Sequence, residues 1–147
     1  MFLLDTDHLG VLQQRRPKAE YGSLTTRMSQ FGVDEFKLSV VTIQEQILGA
    51  NAYLSRAYDR TGILRGYAMM QRTLQDAAHF VVLPFDDAAQ AEYERQRQAG
   101  VRIGKMDLRI ACIAITKGLT VLTRNLTDFQ AVSGLSVEDW TEPLGPS

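Results

Sequence analysis

Short apolar bursts recur along the chain at Phe2-Leu3-Leu4, Val40-Val41, Phe80-Val81-Val82-Leu83 and Leu119-Thr120-Val121-Leu122. Each is too brief for a helix, and their β-branched content suits strands buried on both faces. Leu135 to Trp140 alternates instead, as expected of an edge strand or a C-terminal turn. Between the bursts the pattern turns helical: after Asp5, from Thr42 to Gly49, from Tyr53 to Ala77, from Asp86 to Gln98 and from Met106 to Lys117. Gly49, Gly100 and Gly118 stand where helices are expected to end, and Gly62 with Gly66 should split or kink the long middle stretch. Strand and helix alternate throughout. The expectation is an α/β domain whose central, mostly parallel sheet of about five strands is covered by helices.

Composition narrows the class. With 147 residues, 45% of them hydrophobic, the chain can build one continuous core. A single domain over residues 1–140 is expected, followed by a loose tail, 141–147, that carries Pro143 and Pro146. The 16 Lys and Arg against 17 Asp and Glu leave a net charge of -1, so the molecule as a whole lacks a basic footprint. Nucleic-acid binding must then be local or helped by a cation. Cys112, the single cysteine, lies in an apolar run and reads as packing. No apolar run approaches the roughly 20 residues that span a bilayer. A cytoplasmic protein without membrane contact is expected.

Four carboxylates fall just after a strand or near the start of a helix, at the edge where parallel sheets gather their chemistry: Asp5, Glu45, Asp107 and Asp128. Four acids meeting there cannot all stay ionised without a cation. Hard oxygen ligands suit Mg²⁺ or Mn²⁺, whereas two histidines and one cysteine are too scattered for a zinc set. A divalent cation so held can support hydrolysis of a phosphate ester.

Each acid also has a plainer explanation. Thr42-Ile43-Gln44-Glu45 fits a capping box, Asp107 suits a helix dipole, Asp128 suits a turn begun at Asn125, and Asp5 or Asp7 could cap a helix. Their joint occurrence favours the site, because independent caps have no reason to converge. His8 and His79 read as ordinary polar positions. Arg56 with Arg60, and Arg65 with Arg72, have helical spacing that suits a positive face or simply solvated surface.

The segments Leu4-Asp5-Thr6-Asp7, Ser39 to Glu45, Asp107-Leu108-Arg109-Ile110-Ala111, Leu122 to Phe129 and Gly134 to Trp140 together resemble the PIN-domain ribonucleases, most closely the VapC toxins of bacterial toxin–antitoxin pairs. The resemblance runs from Phe2 to Trp140. It implies a three-layer α/β/α fold, Mg²⁺- or Mn²⁺-dependent endonucleolytic cleavage of RNA, inhibition by a cognate antitoxin, and a homodimer. Asp5, Glu45 and Asp107 match the family's three usual acids, and Asp128 its more variable fourth. Asp5 and Asp107 would bind the principal metal, with Glu45 and Asp128 completing the shell directly or through water. Thr6, Asp7, Thr123 and Asn125 would support the site. Arg124, Lys105 and Arg109 would hold substrate. Asp7 stands where many relatives carry Asn, and Cys112 where a small Ala is common.

Two rival readings stay open from the sequence. Asp5-Thr6-Asp7 has the strand-end pattern of haloacid dehalogenase-type phosphatases, although no carboxylate directly follows the Leu122 strand. A PIN-like protein-binding module without activity could use Tyr58, Ile63, Leu64, Tyr67, Met69 and Met70 as a docking surface.

Overall fold

The computed structural model describes residues 1–143. Five strands form one sheet: β1 (Phe2–Leu4), β2 (Phe36–Ser39), β3 (Val81–Leu83), β4 (Thr120–Leu122) and β5 (Ser136–Glu138). All neighbours are parallel and the order is β3-β2-β1-β4-β5. The weak alternating segment is thus an edge strand. The helices among the described residues are α1 (Thr6–Gln14), α2 (Lys18–Met28), α3 (Val40–Arg56), α4 (Arg60–His79), α5 (Asp87–Gln98), α6 (Lys105–Lys117) and α7 (Leu126–Gln130). The connections run outward from β1 to β2 and β3 and then return to β4 on the other side of β1, so the strand order reverses between β1 and β4, where parallel sheets open a crevice.

Alternation along the strands builds two cores. Leu3 and Val121 face one side with Leu108, Ile110 to Ala114 and Phe129, beneath α5, α6 and α7. Leu4, Leu38 and Leu122 face the other with Leu9 and Leu24, beneath α1 and α2. Each fully buried leucine of this kind contributes roughly 1.5–3 kcal/mol. Cys112 is part of the first core, and burial pushes its thiol up to about 12.

Several boundaries differ from expectation. Val40-Val41 is the first turn of α3, not a strand; the strand before it is Phe36–Ser39. Lys37 masks that strand in the sequence, since its charge interrupts an otherwise apolar run. Ser39 caps α3 by accepting from the Thr42 N–H at 3.0 Å, so Thr42 is not the cap and Glu45 lies a turn deeper. Gly49 lies inside α3, and the break falls at Ala57 to Asp59, where the Asp59 carboxylate caps α4 through the Gly62 N–H. Arg56 and Arg60 consequently sit on different helices. Gly66 serves packing, because a Cβ there would collide with Leu54. Gly118 does end a helix, with φ 68 in the left-handed region that glycine tolerates.

At the C-terminus Trp140 packs against Phe2, Phe31 and Phe36, and Thr141 is buried with its N–H on Asp139 Oδ1 at 2.9 Å. The Ser23 hydroxyl donates to the Glu142 carbonyl. The expected loose tail lies outside the described residues from position 144 onward.

Candidate active site

Register places the first contact. Leu4 pairs with Leu122 across β1 and β4, and the Asp5 N–H bonds the Leu122 carbonyl at 3.0 Å, so Asp5 and Thr123 emerge side by side at the crevice. The Thr123 hydroxyl donates to Asp5 Oδ2 at 2.8 Å, while Asp5 Oδ1 accepts from the Thr6 N–H at 2.8 Å and caps α1. Asp5 is buried. Burial first, then the neighbouring Asp7 charge, raises its carboxyl from 3.8 to about 7 despite those two donors.

Helices α3 and α6 bring in the others. Glu45, half-buried, accepts from the Thr6 hydroxyl at 3.3 Å. Asp107 lies in the first turn of α6, after Gly104. One carboxylate oxygen from each of Asp5, Glu45 and Asp107 lies within 4.8 Å of the others. Glu45 and Asp107 are both held above the usual carboxylate range, chiefly by burial, and next by Asp107 for Glu45 and by Asp128 for Asp107. No Lys or Arg among the described residues forms an ion pair with these three acids. Three mutually repelling oxygens with no protein cation between them form a place for a cation.

Asp128 stands outside that triangle. It is an exposed residue in the first turn of α7 and reaches the others through Asn125, whose Nδ2 donates to Asp128 Oδ2 at 3.1 Å and to Asp107 Oδ2 at 3.4 Å.

Asp7 is a different kind of acid. Oδ2 accepts from the Arg124 N–H at 3.0 Å and shares the Thr123 hydroxyl at 3.2 Å; Oδ1 meets His8 Nδ1 at 2.7 Å. His8 is completely buried, and its Nε2 accepts from the Trp140 N–H at 3.1 Å. That backbone donor fixes the tautomer: Nδ1 must carry the proton and donate to Asp7. Reading the sequence alone passes over His8 as an ordinary polar position. Its one signal is spacing, a helical turn after Leu4 and beside the apolar Leu9.

The three basic candidates are dispersed. Lys105 opens α6, two residues before Asp107. Arg124 is exposed and lies 3.9 Å from Glu20. Arg109 stacks over Tyr93 and lines a separate recess with Val40, Val41 and Phe85.

Known proteins resemble this chain in sequence and fold. No protein-family model matches the chain. The tRNA(fMet)-specific endonuclease VapC of Shigella flexneri is 31% identical over 120 residues, covering 76% of this chain and 82% of that protein. Ribonuclease VapC1 of Haemophilus influenzae strain R2866 is 27% identical over 147 aligned positions, covering 97% and 99%. Among solved structures, VapBC-1 from nontypeable Haemophilus influenzae shares the fold, with a TM-score of 0.73 at 24% identity over 96% of this chain and 98% of that one. On the strength of the 31% identity over most of both chains, the chain belongs to the VapC family of PIN-domain toxin ribonucleases.

Proposed function

We propose that this protein is a metal-dependent endoribonuclease, the toxin of a VapBC-type pair, which hydrolyses RNA phosphodiester bonds at the Asp5–Glu45–Asp107 cluster. The observation that carries the reading is the triangle of carboxylate oxygens within 4.8 Å, which lacks a protein counter-charge among the described residues. An all-oxygen donor set of this kind fits Mg²⁺ or Mn²⁺.

Asp5 and Asp107 would hold the principal cation, and Glu45 and Asp128 would complete its surroundings directly or through water. Such a cation, when bound, acidifies a water molecule and offsets charge building on the phosphodiester. The protein's own groups do the positioning. Thr123 and the Thr6 N–H fix both Asp5 oxygens, leaving each with a further lone pair. The Thr6 hydroxyl orients Glu45, and Asn125 ties Asp107 to Asp128. Asp7 joins the β1–α1 turn to the β4–α7 loop and is fully engaged in that task. Lys105 and Arg124 flank the acids and would meet substrate phosphates, with Arg109 a more distant candidate.

The solved VapBC assemblies extend the reading to a cognate antitoxin, and a second copy of this chain would form a homodimer. Tyr58, Ile63, Leu64, Tyr67 and Leu74 are exposed and give such partners an apolar surface. No helix among the described residues is long and apolar enough to cross a membrane. The working compartment we propose is the cytoplasm, where both RNA and antitoxin are made. Family membership displaces the phosphatase alternative.

The test is incubation of the purified protein with RNA, with and without Mn²⁺, beside Asp107→Asn. Internal cleavage that requires the metal and disappears in the variant is expected; metal-independent or absent cleavage would leave only a binding module.

A further inference from the structure

A groove of about 770 Å³ runs between α1, α3 and α4, and Thr6 and Glu45 form one part of its lining, so it opens directly onto the acid cluster. Three arginines line it: Arg16, Arg65 and Arg72. Among the described residues none of the three forms an ion pair, and none of their guanidinium groups donates a hydrogen bond to the protein. In a chain of net charge -1, three uncommitted guanidinium groups facing one groove are a local concentration of positive charge that the overall composition conceals.

Two glycines point the same way. Gly10 and Gly49 sit inside α1 and α3, where glycine weakens a helix. At neither would an added Cβ meet any atom within 4 Å, so packing does not demand them. Both line the groove, and their missing side chains keep it open. Gly66 differs, being required by contact with Leu54. Arg65 and Arg72 lie on one face of α4, about 10 Å apart along the helix axis. That spacing, spanned by two long flexible side chains, lets the pair reach different phosphates of one strand rather than a single isolated anion. The floor between them is polar and fixed, because Thr73 donates to Gln46 Oε1 at 3.2 Å and Gln13 Nε2 donates to the same oxygen at 2.9 Å.

We infer that this groove is the track for the RNA strand leading to the scissile bond, with Arg16, Arg65 and Arg72 binding its phosphates and Gly10 and Gly49 providing clearance for the chain. Guanidinium forks match phosphate oxygens in pairs, and an unstacked single strand can follow a narrow groove. The inference rests on the ribonuclease reading above for the identity of the ligand.

Fluorescence anisotropy of a short labelled single-stranded RNA, measured in EDTA so that no cleavage intervenes, tests it. The double variant Arg65→Gln with Arg72→Gln should bind at least roughly tenfold more weakly, and its log-affinity against log-salt slope should shrink by roughly 0.7 for each phosphate that is no longer neutralised. Gly49→Leu, with thermal stability kept, should weaken binding without changing that slope. In cleavage assays the arginine variants should raise KM more than they lower kcat.

Unchanged RNA affinity in both variants would overturn the inference. So would arginine variants that lose only affinity for the cognate antitoxin, since the groove would then be a protein surface. A parent that binds RNA through these arginines yet never cleaves it would keep the track and sink the ribonuclease reading. Normal cleavage with unaltered KM in the variants would do the reverse.

Discussion

Two groups of acids lie side by side at the carboxyl edge of the sheet, and they are built on opposite principles. Around Asp7 every carboxylate oxygen has a donor, from His8, Thr123 and the Arg124 backbone, and the arrangement closes on Trp140. Around Glu45 and Asp107 donors are sparse: one hydroxyl from Thr6, and one long amide contact from Asn125. Proximity to a site therefore does not make an acid part of its chemistry. Asp5 shares both traits, a donor on each oxygen and other carboxylates around it, so a cation site is marked by clustered acids with no cationic partner among the described residues rather than by a lack of donors.

The strongest way to break this contrast is Asp107→Asn. Even outer-shell partners of metals cost 10–100-fold, so loss of an inner carboxylate should lower RNA cleavage by more than about a hundredfold. The thermal midpoint of the metal-free protein should rise rather than fall, as one source of repulsion disappears. A variant that is both inactive and destabilised would place Asp107 in the structural group.

Metal addition sharpens the contrast next. Asp5 is raised from 3.8 to about 7, and Glu45 and Asp107 are raised as well. Between those two values the folded protein keeps a proton that the unfolded chain has shed, so metal-free stability should fall as pH climbs through that window. Mn²⁺ at about a hundred times its dissociation constant adds about 2.7 kcal/mol, roughly 5–10 °C for a domain of this size. Scanning calorimetry should show most of that shift at neutral pH and little near pH 4, and cleavage should rise with pH over the same range.

On the other side, His8→Ala removes a buried ring and strands both the Trp140 N–H and an Asp7 oxygen. It should cost about 2–4 kcal/mol in urea denaturation. Asp7→Asn should be milder, about 1–2 kcal/mol, since an amide puts a donor where His8 Nδ1–H or the Arg124 N–H needs an acceptor. In isothermal titration Asp7→Asn should change the Mn²⁺ affinity far less than Asp107→Asn does, because Asp7 reaches the cluster only through its charge and the shared Thr123 hydroxyl. The smallest effect is expected from Asp128→Asn, a decrease in cleavage below roughly tenfold, because its exposed carboxylate touches the cluster only through Asn125.

Much of this is readable in the sequence, and the reasons are specific. β1, β3 and β4 announce themselves as short apolar runs, β-branched in β3 and β4; β1 and β4 are covered on both faces, whereas β3 lies at the sheet edge with Val81 exposed. β2 is misplaced by a few residues because Lys37 breaks its apolar run while the next residues, Val40 and Val41, prolong the β-branched signal into a helix. Propensity yields there to the Ser39 cap. The convergence of Asp5, Glu45 and Asp107 is legible because parallel topology sends every strand end to one edge. The Asp7–His8–Trp140 chain is not, because its last contact joins positions 132 residues apart through a backbone N–H, which leaves no trace in side-chain type. The groove is hidden for a related cause. Arg65 and Arg72 show helical spacing, but Arg16 and the opposite glycines come from other parts of the chain.

The central place of β1 between β2 and β4 has a temporal consequence. Asp5 is synthesised well before its partner strand β4 and the helix bearing Asp107, which lie far downstream of it in the chain. A nascent chain therefore cannot assemble the acid cluster until α6 and β4 have both emerged.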